Sequence, residues 1–263
     1  MAPEFQLDSQ VGWSNGNCLA MARAASLAYA DGATINATCR GWGFDHVANI
    51  FSEGTDTQAF IAKREDVSVL AFRGTEPLKL MDWMTDLQLE KRWLPTVGNV
   101  HKGFRKAWYT VKSSVLHEVP QDRPVFICGH SLGGALATLA MADFAILQAE
   151  RYLFSFGAPR VFDKDAAEEF SRRHKGFSFR LVNNSDGVTH VPTRMHGYDH
   201  VAQAIVADAD GIWQHDGFFW DRLLERVKGD WREWIDGRDV APIKDHLMAS
   251  YVAVAEKNAQ IGA

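Results

Sequence analysis

Gly129-His130-Ser131-Leu132-Gly133 sets a serine between two glycines in a G-x-S-x-G spacing. A serine hydroxyl is a weak nucleophile at neutral pH and becomes a strong one only with a base within hydrogen-bond reach. The surroundings of this serine suit that chemistry. Val125-Phe126-Ile127-Cys128 reads as a short buried strand, and the alanine-rich run from Ala135 to Glu150 reads as a helix. Strand, tight turn and helix are the setting in which G-x-S-x-G forms a nucleophile elbow. The turn strains the serine backbone and lifts its hydroxyl off the sheet. Gly129 and Gly133 let the helix pass close to the strand. The helix N-terminus favours developing negative charge beside Ser131. A purely structural glycine-rich turn is the competing reading, and the flanking strand and helix argue against it.

The base for a serine is usually a histidine held in one tautomer by a carboxylate. In strand–elbow–helix folds the partners follow in the order Ser, acid, His. They sit in loops at the carboxyl ends of strands. Asp186 suits the acid role best, because it follows the strand Phe177–Val182 and lies among the loop formers Asn183, Asn184, Ser185 and Gly187. Asp163, Asp165, Asp199 and Asp216 are rivals. His190, His196, His200, His215 and His246 all follow Asp186, and spacing alone does not choose among them. His246 stands just before a C-terminal helix, from which a loop can fold back over Ser131. An oxyanion hole needs two donors. The N–H of Leu132 is one, and Thr75, after the strand end Phe72-Arg73-Gly74, offers both its N–H and its hydroxyl.

The rest of the chain supplies the scaffold. Residues 11–30 read as a helix stopped by Asp31-Gly32. Residues 46–51, 58–63 and 67–72 read as strands, and 103–118 as a helix. Strand 151–156, helix 163–174 and strand 177–182 follow, then an edge strand at 201–206 and a final helix to Lys257. Helix and strand alternate from about 67 to 182, the pattern of a mostly parallel sheet covered on both faces. Leu80, Trp83, Met84 and Leu87 fall at i, i+3, i+4 and i+7, a short amphipathic helix over about 77–87 and a candidate lid. Trp220, Leu224, Val227, Trp231 and Trp234 form a second helical stripe, read as packing.

Composition narrows the classes. With 46% hydrophobic and 23% charged residues the chain can bury a large core. The net charge of −5 without a basic block argues against nucleic acid. The longest apolar run contains Asp143 and is too short for a membrane span. Three cysteines cannot all pair; Cys128 reads as a buried apolar residue, and a Cys18–Cys39 bridge is left open. The first ten residues lack a charged n-region and an apolar h-region, which reads as an intracellular chain or a processed secreted one. No repeats or linkers interrupt residues 1–263, so one domain is expected.

Six blocks in order resemble the class 3 lipases, the fungal-lipase-like α/β-hydrolases. They are Phe72-Arg73-Gly74-Thr75, Trp83-Met84-Thr85-Asp86, Val100-His101-Lys102-Gly103-Phe104, Gly129 to Gly134, Phe156-Gly157-Ala158-Pro159-Arg160-Val161 and Gly197-Tyr198-Asp199-His200. The resemblance covers roughly residues 67–257. It implies an α/β-hydrolase fold with Ser131, Asp186 and His246 as the triad, Thr75 and Leu132 as oxyanion hole, and residues 77–87 as lid. It selects His246 over His200, which matches a block that does not supply the base. The implied activity is that of a triacylglycerol lipase, hydrolysing acylglycerol esters through an acyl-enzyme on Ser131 at an oil–water interface, with no metal or cofactor. A phospholipase A1, a feruloyl or short-chain esterase and a non-catalytic lipase-like interaction protein are the alternatives. Gly187 between Asp186 and Val188, and a lid spacing slightly longer than in the fungal enzymes, depart from the family pattern. Residues 213–239 have no clear counterpart.

Overall fold

The computed structural model describes residues 5–74, 89–144, 149–183, 186–215 and 241–261. Its centre is an eight-stranded sheet. The strands are β1 (His46–Ser52), β2 (Thr57–Lys63), β3 (Ser68–Phe72), β6 (Val125–His130), β7 (Arg151–Phe156), β9 (Ser178–Asn183), β11 (Gln203–Ala207) and β12 (Trp213–Gln214), in the spatial order β1-β2-β3-β6-β7-β9-β11-β12. From β3 to β11 all neighbours are parallel, whereas β1, β2 and β12 pair antiparallel at the two flanks. A second sheet joins β4 (Lys91–Leu94), β5 (Gly98–His101), β8 (Phe162–Asp163) and β10 (Tyr198–Asp199) in the order β10-β8-β5-β4.

The parallel strands are apolar on both sides because both sides are covered. In β6, Phe126 and Cys128 join the core with α1 (Asn15–Leu27) and α7 (Met248–Ile261), while Val125 and Ile127 face the opposite core. β3 divides in the same way, Val69 and Ala71 to one side, Leu70 and Phe72 to the other. This period of two fixes the register of the strands that carry the site. The other helices are α2 (Gly32–Gly41), α3 (Lys102–Glu118), α4 (Leu132–Asp143), α5 (Lys164–Arg173) and α6 (Ala241–His246).

α4 is buried at every residue after Leu132. Its last residue, Asp143, is a carboxylate at the negative end of the helix dipole, which is unfavourable in isolation. Trp108 Nε1 donates to it at 2.7 Å and Lys112 Nζ pairs with it at 2.7 Å, so the charge ties α3 to the elbow helix.

Several expectations need adjustment. Asp31 does not merely stop α1. Its side chain accepts from the N–H groups of Ala33 and Thr34 and so caps α2, a helix missed in the sequence. α1 begins at Asn15, capped by Ser14, and α4 ends at Asp143 rather than Glu150. β11 is not an edge, because β12 pairs beyond it. All three cysteines are free and buried, so the Cys18–Cys39 bridge is not made. The lid residues Leu80, Trp83, Met84 and Leu87, together with Thr75 and the stripe from Trp220 to Trp234, lie outside the described residues. No helix among the described residues is long and apolar enough to cross a membrane.

Candidate active site

Ser131 follows β6 directly and forms the N-cap of α4, at φ 56° and ψ −127°. A positive φ is rare for a residue with a Cβ and is stored strain, of order 1–3 kcal/mol. The surrounding backbone enforces it. Ser131 N–H donates to Phe156 O at 2.9 Å, and Ser131 O accepts from the N–H groups of Gly134 and Ala135. The glycines are required by contact. A methyl at Gly129 would collide with the backbone of Gly133, and one at Gly133 with the carbonyl of Phe72 at the end of β3. The elbow therefore packs against two neighbouring strand ends, not only its own strand.

Asp186 lies beyond β9, two strands along from β6. Its loop is tightened by Asp186 N–H to Asn183 O at 2.9 Å and by Val188 N–H to Asp186 Oδ1 at 2.9 Å. His246 ends α6, and its Nδ1 lies 2.9 Å from both carboxylate oxygens of Asp186. A carboxylate can only accept, so Nδ1 carries a proton, and in the neutral ring Nε2 keeps its lone pair. The pair is buried, Asp186 completely. Burial on its own would raise the Asp186 pKa, but the electrostatic attraction of the His246 ring, its hydrogen bond and that of Tyr251 outweigh burial and hold the carboxyl below its usual value.

Ser131 Oγ and His246 Nε2 are both buried, and among the described residues neither has a hydrogen-bond partner. They are thus not bonded to each other here; such contacts commonly tighten only when substrate is bound. Gly157, at φ 55°, follows Phe156, the residue that holds Ser131. A Cβ on it would stand 2.5 Å from Asp186 Oδ2 and 3.0 Å from His246 Nδ1. Only a glycine lets β7 end beneath the acid–base pair.

Three supporting residues were not foreseen. Tyr251, in α7, donates its hydroxyl to Asp186 Oδ2 at 2.6 Å and accepts from Asn183 N–H at 3.0 Å. Asn183 Nδ2 donates to Asp245 O at 2.9 Å, fastening the end of β9 to the residue before His246. His130 meets His246 on its other side. Tyr251 follows His246 by five residues, but nothing in that spacing says which carboxylate its hydroxyl reaches.

Most of the rivals are placed elsewhere, His190 at the end of the short 3-10 turn Val188–His190. Asp163 caps α5 through Ala166 N–H, Asp165 sits in the first turn of that helix, and Asp199 pairs with Arg194. Asp216 lies outside the described residues. His200 Nε2 bonds Thr189 O at 2.6 Å, bracing the loop after Asp186. Burial and the nearby Arg180 and Arg160 charges push its pKa well down, so the ring stays neutral. His196 meets Thr193, and His215 meets Trp13 edge-on. Among the described residues no group of His, Cys, Asp or Glu is arranged to hold a metal ion.

A strained serine at a strand-to-helix turn, on a mostly parallel sheet flanked by helices, defines an α/β-hydrolase. Residues 69–196 match the family model described as lipase (class 3). Over that stretch the chain is similar to the class 3 lipases of that superfamily. It is 28% identical over 167 residues to the secreted mono- and diacylglycerol lipase 1 of Fusarium solani, covering 59% of this chain and 49% of that one. It is 30% identical over 162 residues to the secreted mono- and diacylglycerol lipase A of Penicillium cyclopium, covering 56% and 51%. The chain thus spans about half the length of the curated relatives it matches. A solved triacylglycerol lipase, described as having a serine protease triad at its catalytic centre, superposes with a TM-score of 0.62 at 25% identity. That match covers 71% of this chain and 77% of the other.

Proposed function

We propose that the protein is a serine carboxylic-ester hydrolase acting on acylglycerols through an acyl-enzyme on Ser131. The observation that carries this reading is the buried Asp186–His246 pair over Gly157, beside a strained serine with an unbonded hydroxyl. His246 Nε2 takes the Ser131 proton as Oγ attacks the ester carbonyl. The oxyanion is held by Leu132 N–H at the start of α4 and by Thr75; one such donor is typically worth about 10²–10³ in turnover. His246 returns the proton to the leaving alcohol. Water then attacks the acyl-enzyme with His246 again as base, releasing the acid and restoring Ser131. Asp186 stays ionised, keeps the His246 proton on Nδ1 and stabilises the imidazolium.

The test is a fluorophosphonate probe followed by a substrate panel. The probe is expected to label Ser131 stoichiometrically. Absence of labelling on folded protein would leave a lipase-like interaction protein as the better account. The relatives named as mono- and diacylglycerol lipases favour partial acylglycerols within the panel. Triacylglycerols, a phospholipid and a feruloyl ester complete it. Faster cleavage of the phospholipid's sn-1 ester would move the assignment to a phospholipase A1.

Residues 77–87 are proposed as a lid whose apolar residues Leu80, Trp83, Met84 and Leu87 meet an oil surface. Trp83→Ala is expected to lower the rate on emulsified substrate about tenfold or more while changing a soluble short-chain ester less than about threefold. The basis is lost apolar contact of roughly 1.5–3 kcal/mol for a large side chain. Equal losses on both substrates would contradict a lid role.

A further inference from the structure

His130, the residue between the elbow glycine and the nucleophile, is buried and makes two side-chain hydrogen bonds that reach across the fold. Its Nε2 lies 2.6 Å from the backbone carbonyl oxygen of His246. Its Nδ1 lies 2.8 Å from the hydroxyl of Tyr29, two residues beyond α1. A carbonyl only accepts, so Nε2 must carry a proton. In a neutral ring Nδ1 is then the acceptor, and Tyr29 must donate. The protons are fixed along the whole line: Tyr29 O–H to His130 Nδ1, and His130 Nε2–H to His246 O. The His130 and His246 rings lie against each other at a tilt, 4.5 Å between centroids and 33° between planes.

We infer that His130 is a positioning residue for the base, locking the His246 backbone to the same turn that carries Ser131, with Tyr29 holding His130 in the one tautomer that can do so. This rests on the reading of Ser131 and His246 as nucleophile and base. The two residues are 115 positions apart in sequence, and their reaction requires agreement within a fraction of an ångström. His130 shares a peptide bond with Ser131 and a hydrogen bond with His246, so it sets one relative to the other with no long loop between. Asp186 fixes the His246 ring from the far side through Nδ1. His130 fixes the main chain, and the two restraints together define where Nε2 points.

The ring's neutrality is part of the arrangement. Burial pushes the His130 pKa down to about 3, and the positive charge that His246 takes on during proton transfer acts in the same direction. His246 must become an imidazolium during the reaction, and a charged ring beside it would oppose that step. Gly74, ahead of Thr75, belongs to the same device. A Cβ there would collide with the Tyr29 hydroxyl and the His130 carbonyl. The strand end that leads to the oxyanion residue therefore abuts this bridge.

The experiment compares His130→Phe, His130→Gln and Tyr29→Phe with wild type and Ser131→Ala, on a soluble ester, with thermal melting as the folding control. Phe keeps the ring and loses both bonds. Gln places an amide N–H near the Nε2 position and can restore the bond to His246 O. His130→Phe is expected to lower kcat about 30- to 100-fold with KM within about twofold, since misplacement by about 1 Å can cost a hundredfold. His130→Gln should recover at least about a third of the lost factor on a logarithmic scale. Tyr29→Phe should lower kcat about three- to tenfold, and it decides the matter if His130→Phe does not fold. Wild-type kcat in His130→Phe or in Tyr29→Phe would overturn the inference, as would a His130→Gln variant no better than Phe. A wild-type protein inactive on every ester, or a Ser131→Ala variant that still turns over, would instead refute the nucleophile reading.

Discussion

Ser131→Ala is expected to lower ester turnover about 10⁴- to 10⁶-fold and to leave the melting temperature unchanged or slightly higher. The loss of rate follows from removing the atom proposed to form the acyl-enzyme. What survives is the contribution of oxyanion donors and substrate binding, which persists when a member of such a unit is removed. The stability half of the prediction is more specific to this molecule. Ser131 is completely buried and its hydroxyl has no hydrogen-bond partner among the described residues. Alanine keeps the Cβ and sheds a buried, unsatisfied polar atom, whose burial ordinarily costs about 1–3 kcal/mol. It does not relieve the backbone, since φ stays at 56°. Ser131→Gly does, and it should melt higher than Ser131→Ala by the strain that glycine tolerates freely. A melting temperature several degrees below wild type for Ser131→Ala would mean that the hydroxyl is a structural bond donor and not a poised nucleophile. Turnover above about one-hundredth of wild type would mean that another group performs the attack.

The elbow could be read from the sequence because its signals are local. The glycines, the serine and the apolar strand before them lie within ten residues, and steric necessity fixes their order. The β3 and β6 cores were legible for a similar reason: alternation assigns Val69 and Ala71 to one face and Leu70 and Phe72 to the other without knowledge of the neighbours. Asp186 was legible at one remove, through its place after a strand whose position in the sheet follows from parallel connectivity. Asp31-Gly32 was misread because an aspartate before a glycine both ends one helix and caps the next, and the local chemistry is the same. β4 and β5 have four residues each, too few to show a period. α4 was drawn too long because the apolar run that makes its surface uniform continues past Asp143. The bonds from Tyr29 to His130, from His130 to His246 and from Tyr251 to Asp186 join residues 101, 116 and 65 apart. No local pattern encodes such pairs; only the fold brings them together.

The second large effect concerns the acid. Asp186→Asn is expected to lower kcat about ten-thousandfold with KM nearly unchanged, the size of loss seen when a triad acid becomes an amide. The geometry says why here. Asp186 receives three donors, Val188 N–H on Oδ1, Tyr251 O–H on Oδ2, and His246 Nδ1–H on both. Asparagine offers one oxygen and one NH₂ in the same space. The backbone N–H of Val188 cannot reverse, so the amide oxygen must face it and the NH₂ must take the Oδ2 position. That group then points at His246 Nδ1 and favours the tautomer with the proton on Nε2. A histidine protonated on Nε2 has no lone pair for the Ser131 proton. The same substitution alters the pH dependence of stability. The Asp186 pKa is lowered in the folded state, so its stabilising contribution is present above the ordinary carboxylate value and is lost as pH falls through the lowered one. The Asn variant lacks that contribution, so its deficit against wild type should be present at neutral pH and shrink in acid. Thermal melts across pH measure the deficit, and kcat on a soluble ester measures the tautomer. An Asn variant retaining more than about a tenth of wild-type kcat would show that His246 takes its orientation from His130 and the backbone alone, and Asp186 would lose its place in the triad.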